Sequence, residues 1–190
     1  CMNALVTICF GEVGRNLLEV SGPSFAAYAK KCKAEFEVIS YFTDENWGWR
    51  RQLEVVRFLD KYERVLYLDA DILVRRDCPN MFDIVPNDKI AMHDECAYFS
   101  IESLHEAHRY MKAVCEAEDI PIPDTKARMF NFGVTLFGNR HKELFLPIKT
   151  SCPWGVQPYG HPWHAQATLN VRLFNVEFDI DTHFFSTFSK

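Results

Sequence analysis

The stretch Tyr67-Leu68-Asp69-Ala70-Asp71-Ile72-Leu73-Val74 sets two carboxylates, one residue apart, at the end of an apolar run. In an extended segment the side chains at i and i+2 point to the same side, so Asp69 and Asp71 can converge on one cation. Acids flanked by apolar sequence are costly to bury without a counter-charge. A hard divalent ion, Mn²⁺ or Mg²⁺, meets that need and can take a diphosphate as a further ligand. Two solvated acids at a strand–loop junction would read the same in isolation, so the surrounding elements must decide.

Other groups carry less. Arg50 and Arg51 open the helix that leads into this strand, where a guanidinium could bond phosphate oxygens bidentately. His105 and His108 share a helical i, i+3 spacing without a third ligand in view, and are read as structural. Trp154, Tyr159 and Trp163 interleave with Pro and Gly, which suits either stacking on a sugar or a loop packed over the core. The seven cysteines form no C-x-x-C pair, which excludes a zinc ribbon and a disulfide scaffold and points to thiols in a reducing, cytoplasmic compartment.

The elements that must position these groups follow from pattern. The chain has 190 residues, 48% apolar and 14% aromatic, with 25% charged, which excludes a disordered chain, a collagen and a coiled coil. A net charge of −5 argues against nucleic acid as the main partner, because phosphate neutralisation needs a basic face. No run approaches the roughly 20 apolar residues of a membrane span. The run Ala4–Phe10 is short and has no basic flank, so no leader is expected.

Short β-rich runs alternate with helical periods. Strands are expected over 4–10, 36–42, 64–69, 89–92 and 130–138. Helices are expected from Gly22-Pro23-Ser24 through Lys33, over 48–61 on the stripe Trp49/Leu53/Val56/Leu59, around Leu104–Cys115, and over 163–173. With no linker or repeat, residues 1–190 read as one domain. The opening β-α-β-α-β order predicts an α/β fold with a mainly parallel sheet, whose ligands bind beyond the carboxyl ends of the strands.

Against this background, KYERVLYLDADILVRRDCPNMFDI (Lys61 to Ile84) resembles the metal-binding motif of GT-A-fold glycosyltransferases of the glycogenin-like, family-8 type. Three further segments resemble the same family in the same order. ALVTICFG resembles the strand whose end holds the nucleotide, Asn131-Phe132-Gly133-Val134 the Asn-x-Gly strand near the donor sugar, and Trp163–Asn170 the Asp-Gln-x-x-Leu-Asn segment. The resemblance implies a GT-A (Rossmann-like) fold, a mainly parallel mixed sheet flanked by helices. It implies transfer, with retention, from a nucleotide-diphosphate sugar, UDP-linked, to a carbohydrate or other hydroxyl acceptor.

The implied roles are these. Asp69 and Asp71, with His183, hold Mn²⁺ or Mg²⁺. Thr7, Cys9, Arg51, Asp69, Ala70, Asn131 and Gly133 meet the nucleotide sugar, while Gln166 and His164 act at the transferred sugar. Two departures stand out. His164 replaces the acid that precedes Gln in the family, and the family's later His-x-x-Gly-x-x-Lys element is not reproduced around His183 and Lys190. A homologue that binds nucleotide sugar or glycan without turnover is therefore the alternative reading. Phosphatases of the haloacid-dehalogenase type also carry Asp-x-Asp after a strand, but on their first strand and with Thr or Val where this chain has Leu73.

Overall fold

The computed structural model describes residues 2–40, 51–95, 100–123, 129–145 and 163–175. Five strands form one mixed sheet in the order β2-β1-β3-β5-β4: β1 (Asn3–Ile8), β2 (Ala34–Ile39), β3 (Arg64–Leu68), β4 (Ala91–Asp94) and β5 (Phe130–Gly138). β1 pairs in parallel with β2 and β3, whereas β5 runs antiparallel to both β3 and β4. Residues 4–7 of β1 are fully buried, as expected of a central strand covered on both faces. The chain leaves β1 for β2 on one side and returns to β3 on the other. That reversal opens a crevice between the carboxyl ends of β1 and β3, the place where such sheets take ligands.

Both faces are covered. On one, Val55, Leu59 and Tyr62 of the 3-10 helix Arg51–Asp60 and its exit pack with Leu169 and Leu173 of α4 (Trp163–Asn175) onto Val6, Tyr67 and Phe132. On the other, Phe25, Tyr28 and Ala29 of α1 (Gly11–Lys31) join Met81 and Phe82 of α2 (Met81–Ile84) over Leu5, Leu66 and Leu136. α3 (Ile101–Glu118) lies outside this layer, its Met111, Val114 and Cys115 packed on Ala167 and Val171 of α4. No helix among the described residues is long and apolar enough to cross a membrane.

The first helix corrects the sequence reading. It begins at Gly11, directly after β1, and runs through Pro23 rather than starting there. Gly11 makes this possible by turning the chain with φ +69°. Pro23 is tolerated because it faces solvent, where the carbonyl it leaves unbonded can be hydrated. The hydroxyls of Ser21 and Ser24 donate back to the carbonyls of Leu17 and Ser21 around it. The early start carries the first half of α1 past the sheet, so Phe10, Val13, Leu17 and Val20 are exposed.

Candidate functional site

The crevice between β1 and β3 holds a cleft of about 270 Å³. One wall is apolar: Ile8 and Phe10 at the end of β1, then Val13, Gly14 and Leu17 of α1. The opposite wall is Tyr67, Asp69, Ala70 and Asp71 at the end of β3. β3 stops at Leu68, and the N–H of Ile72 donates to the carbonyl of Asp69 at 3.2 Å. The two carboxylates thus meet the cleft through a tight turn, not through the extended i, i+2 geometry expected from sequence.

Asp69 and Asp71 are not equivalent. Asp71 is exposed. Asp69 is partly buried, and its backbone N–H donates to the carbonyl of Gly133 at 2.8 Å. The Tyr67 hydroxyl donates to Asp69 Oδ1 at 2.6 Å, and the Tyr67 ring stacks on Phe132 with centroids 4.8 Å apart. Burial raises the Asp69 carboxyl above the usual range and the charge of Asp71 raises it further, while the Tyr67 hydrogen bond opposes both.

This donor set fits a hard divalent cation. Asp69 Oδ2 accepts no hydrogen bond among the described residues, and the raised carboxyl marks a charge that burial leaves uncompensated. No group of three His, Cys, Asp or Glu gathers among the described residues, so these two carboxylates are the described contribution. Gly133 keeps the seat open. A Cβ there would lie 2.5 Å from Asp69 Oδ2.

A hydrogen-bonded chain continues from Gly133. Its N–H donates to Asn131 Oδ1 at 2.5 Å, and Asn131 Nδ2 donates to Glu95 Oε1 at 2.5 Å. Glu95 Oε2 accepts from Gln166 Nε2 at 2.6 Å. Asn170, fully buried, ties α4 to β5: its amide donates to the carbonyls of Phe130 and Gln166 and accepts from the N–H of Phe130, each at 2.8 Å.

The residues singled out by sequence therefore divide. Asp69, Ala70 and Asp71 line the cleft, and Asn131, Gly133 and Gln166 connect to Asp69 through the chain just described. Thr7 and Cys9 do not line it. Thr7 is fully buried, its hydroxyl without a partner among the described residues, and Cys9 is 4% exposed. Strand alternation gives the reason, since Ile8 and Phe10 turn to the cleft and Thr7 and Cys9, which alternate with them, turn away. Arg51 and His164 begin helices, but their side chains lie outside the described residues, as do Arg50 and His183 entirely.

Sequence reading missed Phe10, Val13, Leu17 and Glu95. The signal for the first three was Gly11 directly after a strand, which allows a helix to start there. Glu95 carries no motif of its own.

Residues 51–142 match the model of glycosyl transferase family 8, a span that includes Asp69, Asp71, Glu95, Asn131 and Gly133. Among solved structures, the chain is similar to a glycosyltransferase involved in the glycosylation of the major capsid of PBCV-1. The TM-score is 0.52 at 15% identity, over 84% of this chain and 71% of that one. A looser similarity links it to A197 from STIV, with TM-score 0.38 and 12% identity over 81% of this chain and 71% of that one. The first of these likenesses is one of fold. No curated protein sequence matches the chain.

Proposed function

Since residues 51–142 match the model of glycosyl transferase family 8, we propose that the chain acts as a glycosyltransferase of that type, transferring a sugar from a UDP-linked donor to a hydroxyl acceptor, with retention and with Mn²⁺ or Mg²⁺. The observation that carries this reading is the cleft itself, where two carboxylates face an apolar wall at the switch point of the sheet. At about 270 Å³ the cleft is near the lower end of small-molecule sites, roughly 300–1,000 Å³. It suits the base and diphosphate, with the sugar extending toward Asn131 and Gln166.

Asp69 and Asp71 would hold the cation, Asp69 kept in place by Tyr67 and by the Gly133 backbone. When bound, the ion supplies Lewis-acid stabilisation of charge on the departing nucleoside diphosphate. Ile8, Phe10, Val13 and Leu17 would exclude water from one side and cover a flat base. Gly133 lets a sugar approach the backbone, while Asn131 and Gln166 offer it hydrogen bonds. Retention leaves no need for a dedicated protein base. By family pattern, Arg51 is assigned to the diphosphate, His183 to the metal and His164 to the sugar. The free thiols Cys9, Cys32, Cys78 and Cys115 suit a reducing, cytoplasmic setting.

The test is calorimetric titration of UDP, GDP and their hexose conjugates, with Mn²⁺ and after EDTA, paired with an assay of donor hydrolysis. Nucleotide binding that requires Mn²⁺, with release of free sugar, is expected. Binding that survives chelation would remove the metal from the reading, and binding without turnover for any donor–acceptor pair would favour the inactive homologue.

A further inference from the structure

Glu95 lies at the end of β4, 36 residues from Asn131 and 71 from Gln166 in sequence, and it joins the two. A carboxylate only accepts, so each amide must turn its nitrogen toward Glu95. That fixes which way both side chains face. Asn131 has its Oδ1 committed to the Gly133 N–H and one Nδ2 hydrogen to Glu95, which leaves one N–H. Gln166 has one Nε2 hydrogen committed to Glu95, which leaves one N–H and Oε1 uncommitted among the described residues. Without Glu95 the Gln166 amide could present either end.

We propose that Glu95 is a positioning residue for the donor sugar, fixing the pattern of two N–H donors and one carbonyl acceptor that Asn131 and Gln166 offer to sugar hydroxyls. This rests on the reading that those two amides face the sugar. The ligand class it selects is a hexose whose hydroxyls can accept from both N–H groups while one donates to Gln166 Oε1. The nucleoside diphosphate, held at Asp69 and Asp71, lies at the other end of the chain of bonds and should not sense the change.

The discriminating variant is Glu95→Gln, which keeps the shape but replaces one acceptor oxygen by a donor. One amide must then flip. Flipping Asn131 would forfeit its bond from Gly133, so Gln166 flips and presents its other end to the sugar. With Mn²⁺ present, affinities for UDP, GDP, UDP-glucose, UDP-galactose, GDP-glucose and GDP-mannose are measured on wild type and variant, together with kcat and KM for donor hydrolysis. The expected result is nucleoside-diphosphate affinity within twofold of wild type. The preference ratio between hexoses on the same nucleotide should shift by about tenfold or more, the scale on which mismatched hydroxyl contacts discriminate.

An unchanged hexose ratio, or an equal loss for UDP and UDP-hexoses, would overturn the positioning role and leave the proposed function standing. Wild-type protein that binds none of the six compounds would overturn the proposed function, and this inference with it. Should Glu95→Gln fail to fold, the same comparison on Glu95→Asp decides. That side chain keeps both acceptors on an arm too short to reach both amides, so it should also shift the ratio while sparing UDP.

Discussion

β3 is paired along its whole length with Val134–Gly138 of β5, yet the two ends of this ladder behave differently. At one end lie Asp69, Gly133 and Asn131; at the other lie Arg64, Gly138 and His141. Both ends hold partly or fully buried ionisable groups, and each has a glycine pressed against the neighbouring strand. At the Arg64 end the polar groups are turned inward. The guanidinium donates to the carbonyls of Phe82 and Pro86 and to Asn87 Oδ1, at 2.8, 3.3 and 3.0 Å. His141 Nδ1 accepts from the N–H of Gly138 at 2.9 Å, while the ring also bonds the Asp88 backbone. At the Asp69 end the groups open onto a cleft, and one carboxylate oxygen stays uncommitted among the described residues. Apart from Arg64 Nε, which has no partner among the described residues, one end directs its polarity to closing the fold, whereas under the proposed function the other would keep it for a ligand.

The sharpest way to break this comparison is to remove charge at the open end. Asp71→Asn keeps the shape, and Asp71 is exposed, so folding should be untouched. Sugar transfer should nevertheless fall about 1,000-fold, matching the several kcal/mol that a bound Lewis acid supplies. Steady-state kinetics alongside thermal unfolding would check this, and full activity in the variant would sever the cleft from the chemistry.

The closed end should answer to acid instead. Burial, chiefly, lowers the His141 pKa from 6.5 to about 4. The unfolded chain takes up a proton below pH 6.5 that the folded ring refuses until about pH 4. Its contribution is therefore present above pH 6.5 and lost as pH falls through about 4. The loss amounts to about 3 kcal/mol. Urea unfolding at pH 7 and pH 4 should show it, and His141→Asn, which can still accept from Gly138, should flatten that difference.

The two glycines give a matched pair. Gly133→Ala puts a Cβ 2.5 Å from Asp69 Oδ2, so the carboxylate must move, and a displacement of this kind costs activity about 100-fold. Gly138→Ala brings a Cβ within 3.2 Å of the Glu63 carbonyl and 3.5 Å of Arg64 Cγ, a contact relieved by small shifts. Its cost should be stability alone, about 1 kcal/mol, with kcat within twofold of wild type. Equal activity losses in both variants would mean that the two ends are coupled rather than separate in role.

How much of this was legible varied with the range of the interactions. β5 lies over 130–138 as its apolar run predicts, and α4 over 163–175 nearly so, because local period and flanking turns specify them. The start of α1 was not legible, because a proline is a strong local signal for a helix start, whereas an exposed glycine eleven residues from the chain start is a weak one. The acidic pair was conspicuous, yet the geometry deduced for it was wrong in kind: a turn, closed by one backbone bond, brings Asp69 and Asp71 to the cleft.

By itself, the sequence determined which segments are strands, that they alternate with helices, and that two acids follow the third strand. These are properties of neighbouring residues and of side-chain period. Only the tertiary structure decided that β5 runs against β3, that Ile8 and Phe10 rather than Thr7 and Cys9 reach the cleft, and that Glu95 joins Asn131 to Gln166. The reason is physical. A strand's facing and a carboxylate's partners are set by pairings between residues far apart in the chain, whose free energy depends on the packed sheet and has no signature in local composition.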